Sequence, residues 1–353
     1  MNTNIDDDIV TLEWFGATTF RLKTKGITIF LDAWLERPEP LKTYLRIDDV
    51  DQCDYIFISH AHFDHLPGAD RLAKATGAII VGNGEAINVM RAAGVPEAQL
   101  IAVSGGERIP LFTRTQRDSA IEKAKNAPPA PPGHGPLGPP MPDPCKAVLS
   151  VHAWPSLHCL ATSSNLAEFP EFIDSAGVYT GSADYACTID ITRALTYDLG
   201  RLVKAPSLPP QTTDAMKSFV GYMKDTERNR YSNYDGGQIM YNFLIGTNTL
   251  LWNGHLGAYE GIVKGLSPQP DVAVLGIAGR ANLNGRPYDG SAADFVTMQV
   301  KWLGEPSKVI WCLHDEAIMP PKYTDTAAAT ESLHRNTKSQ VVNLVHGKLW
   351  KLF

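Results

Sequence analysis

Residues 57–68 read FISHAHFDHLPG, and positions 60 to 65 hold three histidines and an aspartate directly after an apolar run. His60 and His62 are two residues apart, so in extended backbone their imidazoles project to the same side and can pinch one metal ion. Asp64 and His65 then reach a second position. Borderline-soft imidazole with one hard carboxylate suits zinc, and also manganese or iron, and a catalytic site leaves one coordination position open for water. A polar loop with surface histidines explains one histidine or a pair; it does not explain H-x-H-x-D-H at the end of a buried strand. The pattern predicts a metal site with His60, His62, Asp64 and His65 as ligands, completed by residues from elsewhere in the chain.

The segments around this cluster say what must hold it. VTLEWFGATTFRLKT and GITIFLD read as strands joined at Lys25-Gly26, and DYIFIS is a short apolar strand that delivers His60 at its C-terminal end. HLPGADRLAKATG reads as a helix closed by Gly77, AIIVG as a strand and GEAINVMRAAGV as a helix, so strand and helix alternate. From about residue 105 the pattern weakens. NAPPAPPGHGPLGPPMPDP, residues 126–144, is too proline-rich for helix or central strand and reads as an exposed loop. KAVLSVHAWPS and GVYTG regain strand character, and residues 183–235 read as a helical insertion that could cover a site. QIMYNFLIG, NTLLWNG, DVAVLGIAG and SKVIWCLHD read as strands, with an amphipathic helix, SAADFVTMQVKWLG, before the last.

With those elements in place, the sequence resembles the metallo-β-lactamase fold superfamily, whose hallmark is H-x-H-x-D-H at a strand end. EWFGATTFRLKTKGITIFLDAWL, with Gly16 at a turn and Asp32 ending a strand, is similar to the opening of the branch containing L-ascorbate-6-phosphate lactonase and phospholipase-D-type hydrolases. The resemblance implies an α/β chain folded as an αββα sandwich, two mixed β-sheets flanked by helices, in one domain over residues 1–353 with the insertion added. It also implies a third histidine after a strand, a bridging aspartate in a turn, and a last histidine after a C-terminal strand. His158, beyond the proline turn of VLSVHAWPSLHCL, is preferred to His152, which lies within the strand and reads as a core or supporting imidazole. His314 in VIWCLHDEA fits the last position.

The bridging aspartate is where the chain departs from the family. In LLWNGHLGAYEGI that position is His255. A neutral imidazole has one free lone pair and cannot bridge two ions as a carboxylate can. Asp184 in YTGSAD is the rival carboxylate, but it comes before the insertion and lacks the following strand. Three outcomes are open: one ion, two ions bridged by water or hydroxide alone, or His255 serving a second ion by itself.

Composition bounds the rest. The 353 residues are 44% hydrophobic and 20% charged, enough for a full core, and the net charge of -6 with no Lys/Arg run argues against nucleic acid as a partner. MNTNIDDDIV has neither a basic nor an apolar leader segment and no stretch approaches eighteen apolar residues, so the expectation is a cytoplasmic chain without a membrane span. Five scattered cysteines without a CxxC pair, Cys53, Cys145, Cys159, Cys187 and Cys312, read as reduced thiols. The expected activity is a zinc-dependent hydrolase, with one or two ions, opening a lactone or ester of a small, fairly apolar molecule. Phosphodiester hydrolysis is the second reading, and an iron or ligand-binding role without hydrolysis is the third. The resemblance gives Asp64 a double role as ligand and proton carrier. Arg280 is the candidate to grip a substrate carboxylate or phosphate. The Tyr, Met and Pro content of the insertion suits an apolar ligand under a lid or a homo-oligomer contact.

Overall fold

A computed structural model describes residues 9–128, 133, 138–163, 168–183 and 191–353. Asp184, Cys187 and parts of the proline-rich loop and of the insertion lie outside the described residues.

The chain opens with the expected antiparallel strands β1 (Thr11–Trp14), β2 (Phe20–Thr24) and β3 (Ile27–Leu31). It then turns to parallel pairing, β4 (Tyr55–Phe57) beside β3, β5 (Ile79–Gly82) beside β4 and β6 (Leu100–Ala102) beside β5. Helix α1 (Ala69–Thr76) ends on Gly77 in the left-handed region, and α2 (Gly84–Ala92) starts on an Asn83 side chain that accepts from the Ala86 amide. These crossovers are what make a parallel pairing possible.

A second sheet is built from β7 (Arg108–Leu111), β8 (Leu149–Pro155), β9 (Ile239–Ile245), β10 (Asn248–Asn253), β11 (Val272–Gly276), β12 (Lys308–Cys312) and β13 (Gln340–Val341), in the order β13-β12-β11-β10-β9-β8-β7. The final strand β14 (Trp350–Lys351) returns to the first sheet beside β1. Both sheets mix antiparallel and parallel pairs. Between them Leu12, Phe20, Phe57, Val151, Tyr241, Phe243, Trp252 and Ile310 form one buried cluster. The outer face of the first sheet packs Ile56, Ile58 and Ile80 against Leu72 and Met90 of α1 and α2. The outer face of the second packs Leu251 and Trp311 against Phe295, Val296 and Val300 of helix Ala292–Trp302 and Leu333 of helix Ala327–Asn336. The result is an αββα sandwich, the metallo-β-lactamase fold. No helix among the described residues is long and apolar enough to cross a membrane.

Helices Arg114–Lys125 and Ala327–Asn336 both escaped the sequence reading. Residues Arg114–Lys125, where the hydrophobic pattern weakens, are helical with no buried residue, held by a capping box between Thr113 and Gln116. A helix without an apolar stripe leaves no periodicity to read.

Within the insertion, helix α4 (Asp214–Lys224; α3 is Arg114–Lys125) lies over the histidine loop. Its Phe219 and Met223 form a small core with Leu195, Leu199 and Phe63. Tyr222 fastens the two together: its hydroxyl donates to the Phe63 carbonyl at 3.1 Å and accepts from Trp34 Nε1 at 3.0 Å. Burial pushes this phenol's pKa up, so it stays a donor. Further along, the Ser232 amide donates to Ala61 O and the Ala61 amide to Asp235 O, at 2.8 and 3.2 Å. Tyr222→Phe is expected to lower unfolding free energy by about 1 kcal/mol while speeding proteolytic cleavage in the exposed segment 205–213. Denaturant titration beside limited proteolysis checks both, and unchanged proteolysis would detach the hydroxyl from lid anchoring.

Candidate metal centre

The site forms where strands of both sheets end. His60 follows β4 by three residues, His255 follows β10 by two, and His158 lies three residues past β8. Gly276 at the end of β11 is held against the Gly254 carbonyl so closely that a Cβ there would overlap it and stand 2.6 Å from the His255 amide nitrogen. Only glycine permits that approach, and it seats the His255 loop.

Five histidines converge. Donor atoms of His60, His158 and His255 lie within 4.8 Å of one another, and so do those of His60, Asp64 and His65. His62 Nδ1 is 2.9 Å from His60 Nε2. The His158 and His255 rings are 3.8 Å apart between centroids, His60 and His65 4.0 Å. His60, His62, His65 and His255 are buried, His158 and Asp64 partly so.

Behind them sits a hub the sequence reading did not assign a role beyond its strand end. Asp32, without solvent exposure, has φ of +48°, a region non-glycine residues rarely enter. Its carboxylate accepts from Thr18 Oγ1 at 2.6 Å, from the Ser59 amide at 2.8 Å, from Ser59 Oγ at 2.8 Å, and from His65 Nδ1 at 2.6 Å. These contacts assign tautomers. With its Nδ1–H given to Asp32, His65 keeps its lone pair on Nε2, which is buried and has no partner. Ser59 gives its proton to Asp32, so its oxygen accepts from His60 Nδ1 at 3.1 Å and the lone pair of His60 is on Nε2. His158 donates Nδ1–H to the Cys159 carbonyl at 2.7 Å, leaving its Nε2 free.

A divalent cation fits this donor set. His62 Nε2, His65 Nε2 and both nitrogens of His255 are buried without any partner, which is costly for a polar atom unless something completes it. Burial, reinforced by the neighbouring imidazoles, pulls the pKa of His60, His62 and His255 well below the usual histidine value. Burial also lowers His158, partly offset by its bond to the Cys159 carbonyl and by Asp235. These rings are neutral, as ligands must be. At His65 burial disfavours the charged form, but the Asp64 and Asp32 carboxylates outweigh it and raise the pKa.

Two expected residues, His314 and Arg280, lie elsewhere. The ring of His314 stacks on Trp14 at 4.9 Å, and Trp14 stacks in turn on His346 at 4.0 Å, so His314 joins neither donor group. Leu313 before it takes a left-handed φ of +58° and donates its amide to Ala17 O, which sets the direction of the loop. Arg280 donates to Asp289 and Ser182 at 3.0 and 2.8 Å and is not among the residues lining the cavity beside the histidines. His152 is buried in β8 opposite Asn242.

The cavity occupies about 250 Å³. His62, Asp64, His158 and His255 stand at its floor, and Trp34, Phe63, Leu160, Phe219, Ile318 and Met319 contribute its walls.

Comparison with known proteins agrees with this architecture. Residues 17–150 match the family model described as the metallo-beta-lactamase superfamily. A "UPF0173 metal-dependent hydrolase" from Pyrobaculum islandicum is 35% identical over 102 residues, 28% of this chain and 44% of that protein. A protein of the same name from Chloroflexus aurantiacus is also 35% identical over 102 residues, 28% of this chain and 40% of that one. The matched part thus spans less than half the length of these curated relatives. Igni18, a novel metallo hydrolase from the archaeon Ignicoccus hospitalis, superposes with a TM-score of 0.51 at 16% identity, covering 98% of each chain. A "possible metal-dependent hydrolase" from Veillonella parvula gives 0.50 at 12% identity over 98% and 100% of the chains. At those identities the likeness establishes the fold. Residues 17–150 thus match the metallo-β-lactamase superfamily, and the described chain takes that fold.

Two outcomes follow. Asp32→Asn, which loosens the Ser59 hydroxyl that sets the lone pair of His60, is expected to weaken cation retention by about 10–100-fold, read by competition with a chromogenic chelator. For the cation-free chain, the histidines with lowered pKa are neutral when folded and take up protons when unfolded below the ordinary value of 6.5. The unfolded state then binds more protons, so their contribution to stability is lost as pH falls below that value. His65 acts oppositely, contributing fully below 6.5 and losing its contribution as pH rises through its raised value. Three strongly lowered groups outweigh one raised group, so the melting temperature of chelated protein should fall between about pH 7.5 and about pH 5.5; a rise would refute the neutral assignment.

Proposed function

We propose that the protein is a metal-dependent hydrolase that opens esters or lactones of small, neutral, apolar molecules. The observation that carries the reading is the cavity: apolar walls converge on a floor of imidazoles and one carboxylate, and no Lys or Arg lines it among the described residues. The names of the curated relatives support hydrolysis as the reaction class.

Imidazole donors favour zinc among the abundant divalent ions. A cation bound there would supply Lewis acidity, polarising a carbonyl and lowering the pKa of water to about 7. The chain's own residues do the rest. Asp64 faces the cavity with its side chain 28% exposed, 3.6 Å from His65 Nε2. From there it can accept the proton that water gives up on attack and return it to the leaving oxygen. Trp34, Phe63 and Phe219 exclude water from the acyl part and orient it, and Tyr222 holds Phe63 and Trp34 in their relative places.

The cavity argues against phosphodiesters. Its charged side chains are Asp64, Asp315 and Glu316. An anionic substrate would meet carboxylates with no lining cation to compensate them.

Rates on p-nitrophenyl acyl esters, aliphatic lactones and bis(p-nitrophenyl) phosphate, measured with zinc supplied, test this. Esters or lactones should turn over fastest, chelation should abolish the rate, and Asp64→Asn should lower kcat about 10²–10⁴-fold with KM little changed. Faster turnover of the phosphodiester would overturn the substrate assignment.

A further inference from the structure

Resting on the reading of this site as a metal centre, we infer that the chain holds a single divalent cation tightly, between the imidazoles of His60, His158 and His255. Asp64 and His65 beside it do not complete a second tight site.

Lone pairs limit how many ions the donors can hold. The two donor groups that the fold assembles, His60 with His158 and His255, and His60 with Asp64 and His65, have His60 in common. A neutral imidazole has one lone pair and serves one ion. That of His60 is on Nε2, because Nδ1 donates to Ser59, whose own proton goes to Asp32. His60 Nε2 in turn lies 2.9 Å from His62 Nδ1, and two ring nitrogens that close need a proton or a cation between them. A cation shared by His60, His158 and His255 would meet that need, so His60 counts with the imidazole group.

What remains beside it is a pair. Asp64 and His65 are two donors, where a tight site needs three or four. His314, the other imidazole the sequence offered, is stacked on Trp14 outside both groups. His255 has two orphaned nitrogens but one lone pair, so it cannot join two ions as a carboxylate would. Two dications at the separation of about 3.5–4 Å usual for paired sites would also repel with no anionic side chain shared between them. Asp64 is then left free for proton transfer.

The test counts ions. Chelator-stripped protein is reloaded with excess zinc, desalted and analysed for metal, and cobalt(II) is titrated in parallel with the visible d–d bands as readout. Wild type should retain one zinc per chain, with the cobalt spectrum saturating at one equivalent. His255→Ala should weaken retention by at least about tenfold, whereas Asp64→Asn and His65→Ala should still retain one ion. His255→Asp, which restores a bridging carboxylate, should take up a second. Two zinc ions or none per wild-type chain would overturn the inference, as would loss of the ion in Asp64→Asn and His65→Ala with retention in His255→Ala. If His255→Ala fails to melt cooperatively, the wild-type cobalt endpoint decides alone. A chain that holds one ion but cleaves no ester or lactone would overturn the proposed reaction and leave this inference standing; cleavage with two tight ions would do the reverse.

Discussion

Removing an ionised carboxylate from water is costly unless donors replace the lost hydration, and Asp32 is fully enclosed. Its donors come from three places: the β1–β2 turn through Thr18, the segment after β4 through Ser59, and the histidine loop through His65. Satisfying this one charge therefore fixes three segments relative to each other. It also sets which nitrogen of His65 and, through Ser59, of His60 carries a lone pair. The unfavourable φ at Asp32 persists because these contacts over-determine the residue. The second sheet has its own version of the same constraint: the Gly254–Gly276 contact lets His255 come down beside His60 and His158. A fold that holds two sheet ends together this way presents imidazoles whose lone pairs are already aimed, so little ordering remains when an ion arrives.

Much of this was readable in the chain because the elements have strong periodic signatures. DYIFIS could only be a buried strand, and a strand that ends in H-x-H-x-D-H presents side chains in a known alternation. Asp32 was visible as a strand end, yet its role as a hub was not, since its partners Thr18, Ser59 and His65 are brought together by pairing between β2, β3 and β4. Hidden too was the direction of the loop after β12. From sequence, His314 occupies a strand end like the others; one left-handed residue, Leu313, sends its ring to Trp14. Neither a left-handed backbone at a leucine nor a stacked ring has a sequence pattern. Arg280 illustrates a further limit: an exposed-looking cation in a loop was already committed to Asp289 and Ser182.

The insertion connects this rigid centre to a softer part of the molecule. Sheets and helices around the site are densely packed, whereas α4 and its neighbours make a small apolar cluster joined to the centre mainly by Phe63, Tyr222, Trp34 and the backbone bonds at Ala61. Few buried contacts mean a low free energy for local opening. Phe63 and Trp34 also wall the cavity, so a ligand entering there meets two of the residues that hold α4. Phe63 stands between two residues of the site, His62 and Asp64, and its carbonyl is the one Tyr222 grips. Movement of the lid is thereby coupled to the geometry of the centre through a single peptide unit.

Charge decides what such a centre can accept. A cation held by neutral imidazoles alone would keep its full double charge uncompensated by its ligands, unlike one in a site that includes a carboxylate. The nearest negative charges are Asp64 beside the site, Asp32 behind His65, and Asp315 in the cavity wall, the last with its pKa held down despite burial by His346, Arg37 and the Ala17 amide. That arrangement balances the cation from one side while leaving the apolar side without any charge. A neutral carbonyl entering along the apolar walls gains the cation's polarisation without bringing a charge that the walls cannot solvate. A phosphodiester would bring one and meet Asp64 and Asp315 on the way. The preference proposed for neutral substrates would arise from the same imbalance that makes such a cation strongly polarising: imidazole ligands carry no charge, and the counter-charges stand one residue further out.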